Sequence, residues 1–104
     1  MVMDKILSNK GLKIAHLNIC SLRNKMQDIS GILENNNLHI LAISETHLDA
    51  TIEDSLLHVN GYLLYRCDRN INGGGEAFYV QDQIDKTLVV LVLKRCGWKC
   101  SYYT

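Results

Sequence analysis

From Leu12 to Asn18 the chain carries a short, mostly apolar run that ends in polar residues, after which the period changes. This pattern predicts a buried strand. Leu22, Met26, Ile29 and Leu33 then recur at spacings of four, three and four, which puts them on one helical face, while Asn24, Lys25, Gln27 and Asp28 face away. Ser21 is the expected N-cap, and Asn35-Asn36-Asn37 the stop. Leu38 to Ser44 (LHILAIS) is apolar on both faces, as expected of a parallel strand covered on both sides. Strand, helix and strand make a βαβ unit, whose right-handed crossover leaves both strands pointing the same way. Asn18 and Glu45 therefore stand together at the C-terminal edge of the sheet.

A polar, partly helical stretch is expected from Asp49 to His58, followed by strands at Tyr62 to Arg66 (YLLYR) and Ala77 to Gln81 (AFYVQ). Between them lies Asn72-Gly73-Gly74-Gly75. Consecutive glycines permit positive φ and a close backbone approach, so a hairpin loop is favoured over an anion-cradling one: no helix follows, and the spacing fits no nucleotide-binding fingerprint. No internal repeat or low-complexity linker is evident.

At 104 residues and 47% hydrophobic content the chain fits one small α/β domain at most, with little reserve against losing part of its sheet. Eleven basic and eleven acidic residues cancel, which argues against a protein that coats nucleic acid through bulk charge. Arg23, Lys25, Arg66 and Arg69 are candidates for local phosphate contacts, although a solvated surface is the favoured reading. Cys20, Cys67, Cys96 and Cys100 are irregularly spaced and no signal-peptide core precedes them, so free thiols and an intracellular protein, nuclear or cytoplasmic, are expected. Cys96 and Cys100 form a CxxxC without a second pair, which disfavours zinc. The apolar run Thr87 to Leu93 is too short for a membrane span, which needs about 20 residues.

A carboxylate just beyond an apolar strand, such as Glu45, is an oxygen ligand suited to Mg²⁺ or Mn²⁺ at the sheet's crevice. Taken alone, Glu45 is equally the first solvated residue after a strand, and Asn18 equally a turn former. The ordered set says more. LKIAHLNICSLRNK, ILAISETHLD and GYLLYRCDRNINGGGEAFYVQ together resemble the opening part of the endonuclease/exonuclease/phosphatase superfamily, in the version found in non-LTR (LINE-type) retrotransposons. The resemblance covers roughly residues 11–84, leaving 1–10 as an N-terminal extension and 85–104 as a divergent tail.

The resemblance implies a partial four-layered α/β sandwich, an incomplete domain made of the βαβ unit followed by a β-hairpin. It also implies Mg²⁺- or Mn²⁺-dependent cleavage of DNA phosphodiesters in an intact parent. Matched residue by residue, Glu45 corresponds to the metal-binding glutamate and Asn18 to the active-site asparagine, which makes these the candidate catalytic residues. Arg66, Asp68 and Arg69 match a recurrent motif to which no individual roles are assigned.

Three departures qualify the match. The late Asp-x-Asn and Asp-His motifs, which supply the family's general base, have no counterpart, and His16, His39, His47 and His58 are read as surface or core histidines. Glu76 stands where an aliphatic residue points into the sheet, so it is expected either to weaken the fold as a buried carboxylate or to reach water by fraying the hairpin. Finally, Lys94 to Thr104 (KRCGWKCSYYT) has no counterpart. Its codons, read from each third base, permit an aliphatic-Trp-aliphatic-Glu-aliphatic string like the family's next strand, which suggests a frameshifted tail; an immediate stop in that frame would refute the idea.

The expectation is thus a truncated, inactive endonuclease-like domain with strand edges and one sheet face uncovered and prone to self-association. A small non-catalytic α/β binding module and a pseudogene remnant are the alternatives. No membrane partner is expected.

Overall fold

The computed structural model describes residues 5–9 and 12–95. Five strands form one mixed sheet in the order β1-β2-β3-β5-β4. They are β1 (Lys5–Asn9), β2 (Leu12–Asn18), β3 (Ile40–Ser44), β4 (Tyr62–Cys67) and β5 (Glu76–Gln81), with helices α1 (Met26–Asn35) and α2 (Lys86–Arg95). Only β2 and β3 run parallel, joined by α1 as the βαβ reading requires; the other neighbours are antiparallel. The expected α/β class, a βαβ unit followed by a hairpin, is therefore present.

Alternation along the strands divides the apolar residues between two faces. On one face Leu17, Leu41, Ile43 and Tyr79 pack beneath Ile29 and Leu33 of α1 and beneath Leu48 and Leu57 of the loop that follows β3. All eight are 2% exposed or less, and full burial of such side chains contributes roughly 1.5–3 kcal/mol each. On the other face Ile40, Ala42, Phe78 and Val80 are buried with Val89 of α2. The four strand residues are 5% exposed or less, so this face is not left open, contrary to expectation, and the chain after the hairpin winds into a helix whose Val89 packs there. Asp85 starts that helix: its Oδ1 accepts the Thr87 N–H at 2.7 Å, as an N-cap carboxylate does.

Two element boundaries differ from expectation. Helix α1 starts at Met26 and Ser21 is not its cap, because Cys20 (φ 48°) and Ser21 (φ 94°) are left-handed and the Ser21 and Leu22 N–H groups donate to the carbonyls of Glu45 (2.9 Å) and Thr46 (3.0 Å). The end of β2 is drawn into pairing with the end of β3 before the chain turns into the helix. A strand also forms within residues 1–10, where β1 pairs with β2 from Lys5↔His16 to Asn9↔Leu12.

Glu76 neither enters the core nor frays the hairpin. It is exposed as the first residue of β5, in register with Ser44 on one side and Cys67 on the other. That row is the last before the sheet opens to water, so the carboxylate stays solvated with the ladder intact. Cys67 is disulfide-bonded, which corrects the expectation of free thiols, since spacing in sequence does not report what folding brings near; Cys20 is free and exposed. Cys96, Cys100 and the tail after Arg95 lie outside the described residues. No helix among the described residues is long and apolar enough to cross a membrane.

Candidate active site at the end of the parallel strands

Parallel pairing sets Asn18 opposite Ser44, so Asn18 and Glu45 leave the same sheet edge on adjacent strands. Immediately after β3 the backbone reverses through two non-glycine residues in the left-handed region, Glu45 (φ 58°) and His47 (φ 54°). Each such residue costs on the order of 1–3 kcal/mol and persists only where its surroundings enforce it. Hydrogen bonds on both sides do so here. The carbonyls of Glu45 and Thr46 accept from Ser21 and Leu22, while the Thr46 and His47 N–H groups donate to the carbonyls of Gly75 (3.4 Å) and Gly74 (3.0 Å).

This contact accounts for the glycine run. Gly74 (φ 73°) and Gly75 (φ 93°) both need the freedom of glycine, and a methyl group at Gly75 would overlap the Thr46 Oγ1. Thr46 is fully buried, and among the described residues its hydroxyl has no hydrogen-bond partner. Gly73, by contrast, faces open space. The loop is the favoured hairpin, and its last two glycines seat the Ser44-Glu45-Thr46 turn.

The two loops enclose an open groove of about 300 Å³ lined by Ser44, Glu45, Cys67, Asp68, Arg69, Gly74, Gly75 and Glu76. Asn18 is exposed on the neighbouring strand but does not line the groove; its Oδ1 accepts from the Cys20 Sγ at 3.6 Å. The Glu45 side chain is 44% exposed, with Oε1 3.4 Å from the Nε2 of His47. His47 is half-buried, and the left-handed turn, which spacing does not reveal, swings its ring back to the carboxylate two residues earlier. His39 is structural, its Nδ1 accepting the Lys13 N–H at 2.9 Å.

No group of three or more His, Cys, Asp or Glu side chains is arranged to hold a metal among the described residues. The donor chemistry nevertheless suits Mg²⁺, a hard cation that keeps several waters and takes only one or two protein carboxylates. Glu45 offers a half-exposed carboxylate of that kind.

The Arg66 and Asp68 side chains hold the site's frame together. Arg66 is buried, and its guanidinium donates from Nε and Nη2 to both oxygens of Asp68 (3.1 and 2.6 Å), and from Nη1 to Asp54 Oδ1 (2.8 Å). It also donates to the backbone carbonyls of Ile52 (2.7 Å) and Asp49 (3.0 Å). This planar fork ties the segment after Glu45 to strand β4. Tyr79 adds a second tie, its hydroxyl donating to the Leu57 carbonyl at 2.6 Å, and burial pushes its ionisation well above the ordinary tyrosine range.

Of the four basic residues considered for phosphate contact, Arg66 is thus committed internally, and Lys25 donates to the carbonyls of Ile19 (2.5 Å) and Cys20 (3.4 Å). Arg23 and Arg69 are exposed.

No family model and no curated relative matches the sequence. Among solved structures, an AP endonuclease from Archaeoglobus fulgidus superposes with a TM-score of 0.59 at 26% identity, over 66% of this chain and 27% of its own. The sheet described here is therefore similar to part of an endonuclease-type fold, and the chain spans about a quarter of that enzyme's length (27%).

Proposed function

We propose that this chain carries the metal-carboxylate part of a divalent-cation-dependent DNA endonuclease site, with Glu45 as the cation ligand and Asn18 as a neighbouring polar group. The observation that carries the reading is the placement of Glu45. Its carboxylate stands half-exposed in a groove at the C-terminal ends of the parallel strands, in a left-handed turn held by Gly74 and Gly75. Backbone strain kept at a crevice by a dedicated contact is characteristic of functional positions. The similarity to an AP endonuclease supports the same chemistry.

Glu45 would hold Mg²⁺ or Mn²⁺ through oxygen, and a cation there supplies charge stabilisation to a scissile phosphodiester. Arg66 and Asp68 keep the frame of the groove rigid and take no part in the chemistry. Among the described residues no histidine-aspartate pair stands by the groove to activate water, so the chain by itself is proposed to be inactive. The motif set in which Glu45 sits supports a retrotransposon-type parent acting on DNA. Self-association would run along edge strand β4, where Leu63 is exposed.

Titration with Mn²⁺ followed by electron paramagnetic resonance tests the site, and nicking of supercoiled plasmid in Mg²⁺ tests the activity. Saturable Mn²⁺ binding that Glu45→Gln abolishes, with no nicking by either protein, is the expected result. Binding that survives in Glu45→Gln would refute the site, and nicking that disappears in the variant would refute the inactivity.

A further inference from the structure

Among the described residues Arg69 is the one exposed cation in the wall of the groove, and its setting is constructed. Its Cβ, Cγ and Cδ lie over Gly74, where any side chain would overlap them. The stem is therefore laid along the hairpin instead of sampling solvent freely. The adjacent carboxylate does not neutralise it, because both oxygens of Asp68 are taken by Arg66. Among the described residues the Arg69 guanidinium enters no hydrogen bond or ion pair.

Charge decides what such a groove accepts. Glu45, Asp68 and Glu76 outweigh Arg69, and even with Asp68 neutralised by Arg66 one negative charge remains. Without a cation the groove repels phosphate. A divalent cation at Glu45 reverses the sign and leaves a net positive charge of one, equal to the charge Arg69 contributes. The planar guanidinium, with its fork of donors, is suited to two oxygens of one phosphate.

We propose that Arg69 is a phosphate-binding residue that grips a phosphodiester of duplex DNA in the groove once a divalent cation occupies Glu45. This rests on the metal-site reading above. Gly74 serves it by leaving room for the stem, which gives the middle glycine of the run a role separate from that of Gly75.

The test is fluorescence anisotropy of a short labelled DNA duplex in Ca²⁺ or EDTA at several salt concentrations, using the full chain, Arg69→Ala and Arg23→Ala. Thermal melts verify folding, and Mn²⁺ titration monitors the cation site. The full chain binds in Ca²⁺ and not in EDTA. Arg69→Ala weakens binding about tenfold and lowers the slope of log affinity against log salt by about one, with Mn²⁺ affinity unchanged. Arg23→Ala, lying outside the groove, does neither. A slope and affinity unaltered in Arg69→Ala would overturn the proposal while leaving the metal site standing, as would Mn²⁺ binding without DNA binding. Loss of Mn²⁺ binding by the full chain itself would bring down both.

Discussion

Thr46 and Gly75 touch so closely that no side chain fits between them, and this contact joins the turn after β3 to the hairpin between β4 and β5. Glu45 keeps its left-handed backbone because its neighbour is held there. The same turn brings the His47 ring to the Glu45 carboxylate.

Gly75→Ala is therefore expected to destabilise the fold by about 2 kcal/mol or more, from positive φ and overlap with Thr46 together. Gly73→Ala, which meets nothing within 4 Å, should be close to neutral. Urea denaturation of the two variants makes the comparison; equal losses would show that the Thr46 contact does not matter.

Glu45 itself should be a position where function costs stability. Glu45→Gly relieves the left-handed strain at φ 58° and is expected to gain about 1 kcal/mol while losing cation binding. A destabilised Glu45→Gly in chemical denaturation would mean that the side chain, with its His47 contact, supports the fold more than the strain opposes it.

Arg66 should be among the least replaceable polar residues. Arg66→Ala leaves Asp68 and the carbonyls of Asp49 and Ile52 without their donor, and removing the buried partner of this half-buried pair is expected to cost about 3 kcal/mol. Asp54, whose side chain is 74% exposed, should matter little: Asp54→Ala is expected to cost less than about 1 kcal/mol. Equilibrium melts that rank the two variants the other way would contradict the clamp.

Alkaline pH should unfold the chain through Tyr79. Burial raises its folded ionisation above the unfolded value of 10.0, so the protonated form is bound more tightly in the native state. The sign follows directly: the contribution is fully present below about pH 10 and is lost as pH climbs from there toward the folded value. Tyr62, raised by burial and then by Glu34, acts in the same direction. The melting temperature of the full chain should fall steeply above pH 10. Tyr79→Phe should start lower at neutral pH, having lost its bond to Leu57, and fall less.

The βαβ unit, the hairpin and the emergence of Asn18 and Glu45 at one sheet edge were legible because period and burial reveal strands and helices directly. The start of α1 was not: Leu22 fits the helical period and Ser21 is a good cap, yet pairing with Glu45 and Thr46 takes precedence over both. Helix α2 was hidden because its apolar run lacks a polar face, although Asp85 ahead of it was an available N-cap signal. The roles of Arg66, Gly74 and Gly75 depend on which loops meet in space, which periodicity does not encode. The Glu45-His47 contact needed two left-handed residues in a run that reads as an ordinary strand exit.

The central claim, that a divalent cation binds at Glu45 in the groove between the two loops, is tested most directly by paramagnetic broadening. A ¹H–¹⁵N correlation spectrum would be recorded with substoichiometric Mn²⁺ for the full chain and for Glu45→Gln. The account predicts selective loss of signals from Ser44 to Thr46 and Gly74 to Glu76 in the full chain, and their retention in the variant. Broadening centred elsewhere, or unchanged by the substitution, would contradict it.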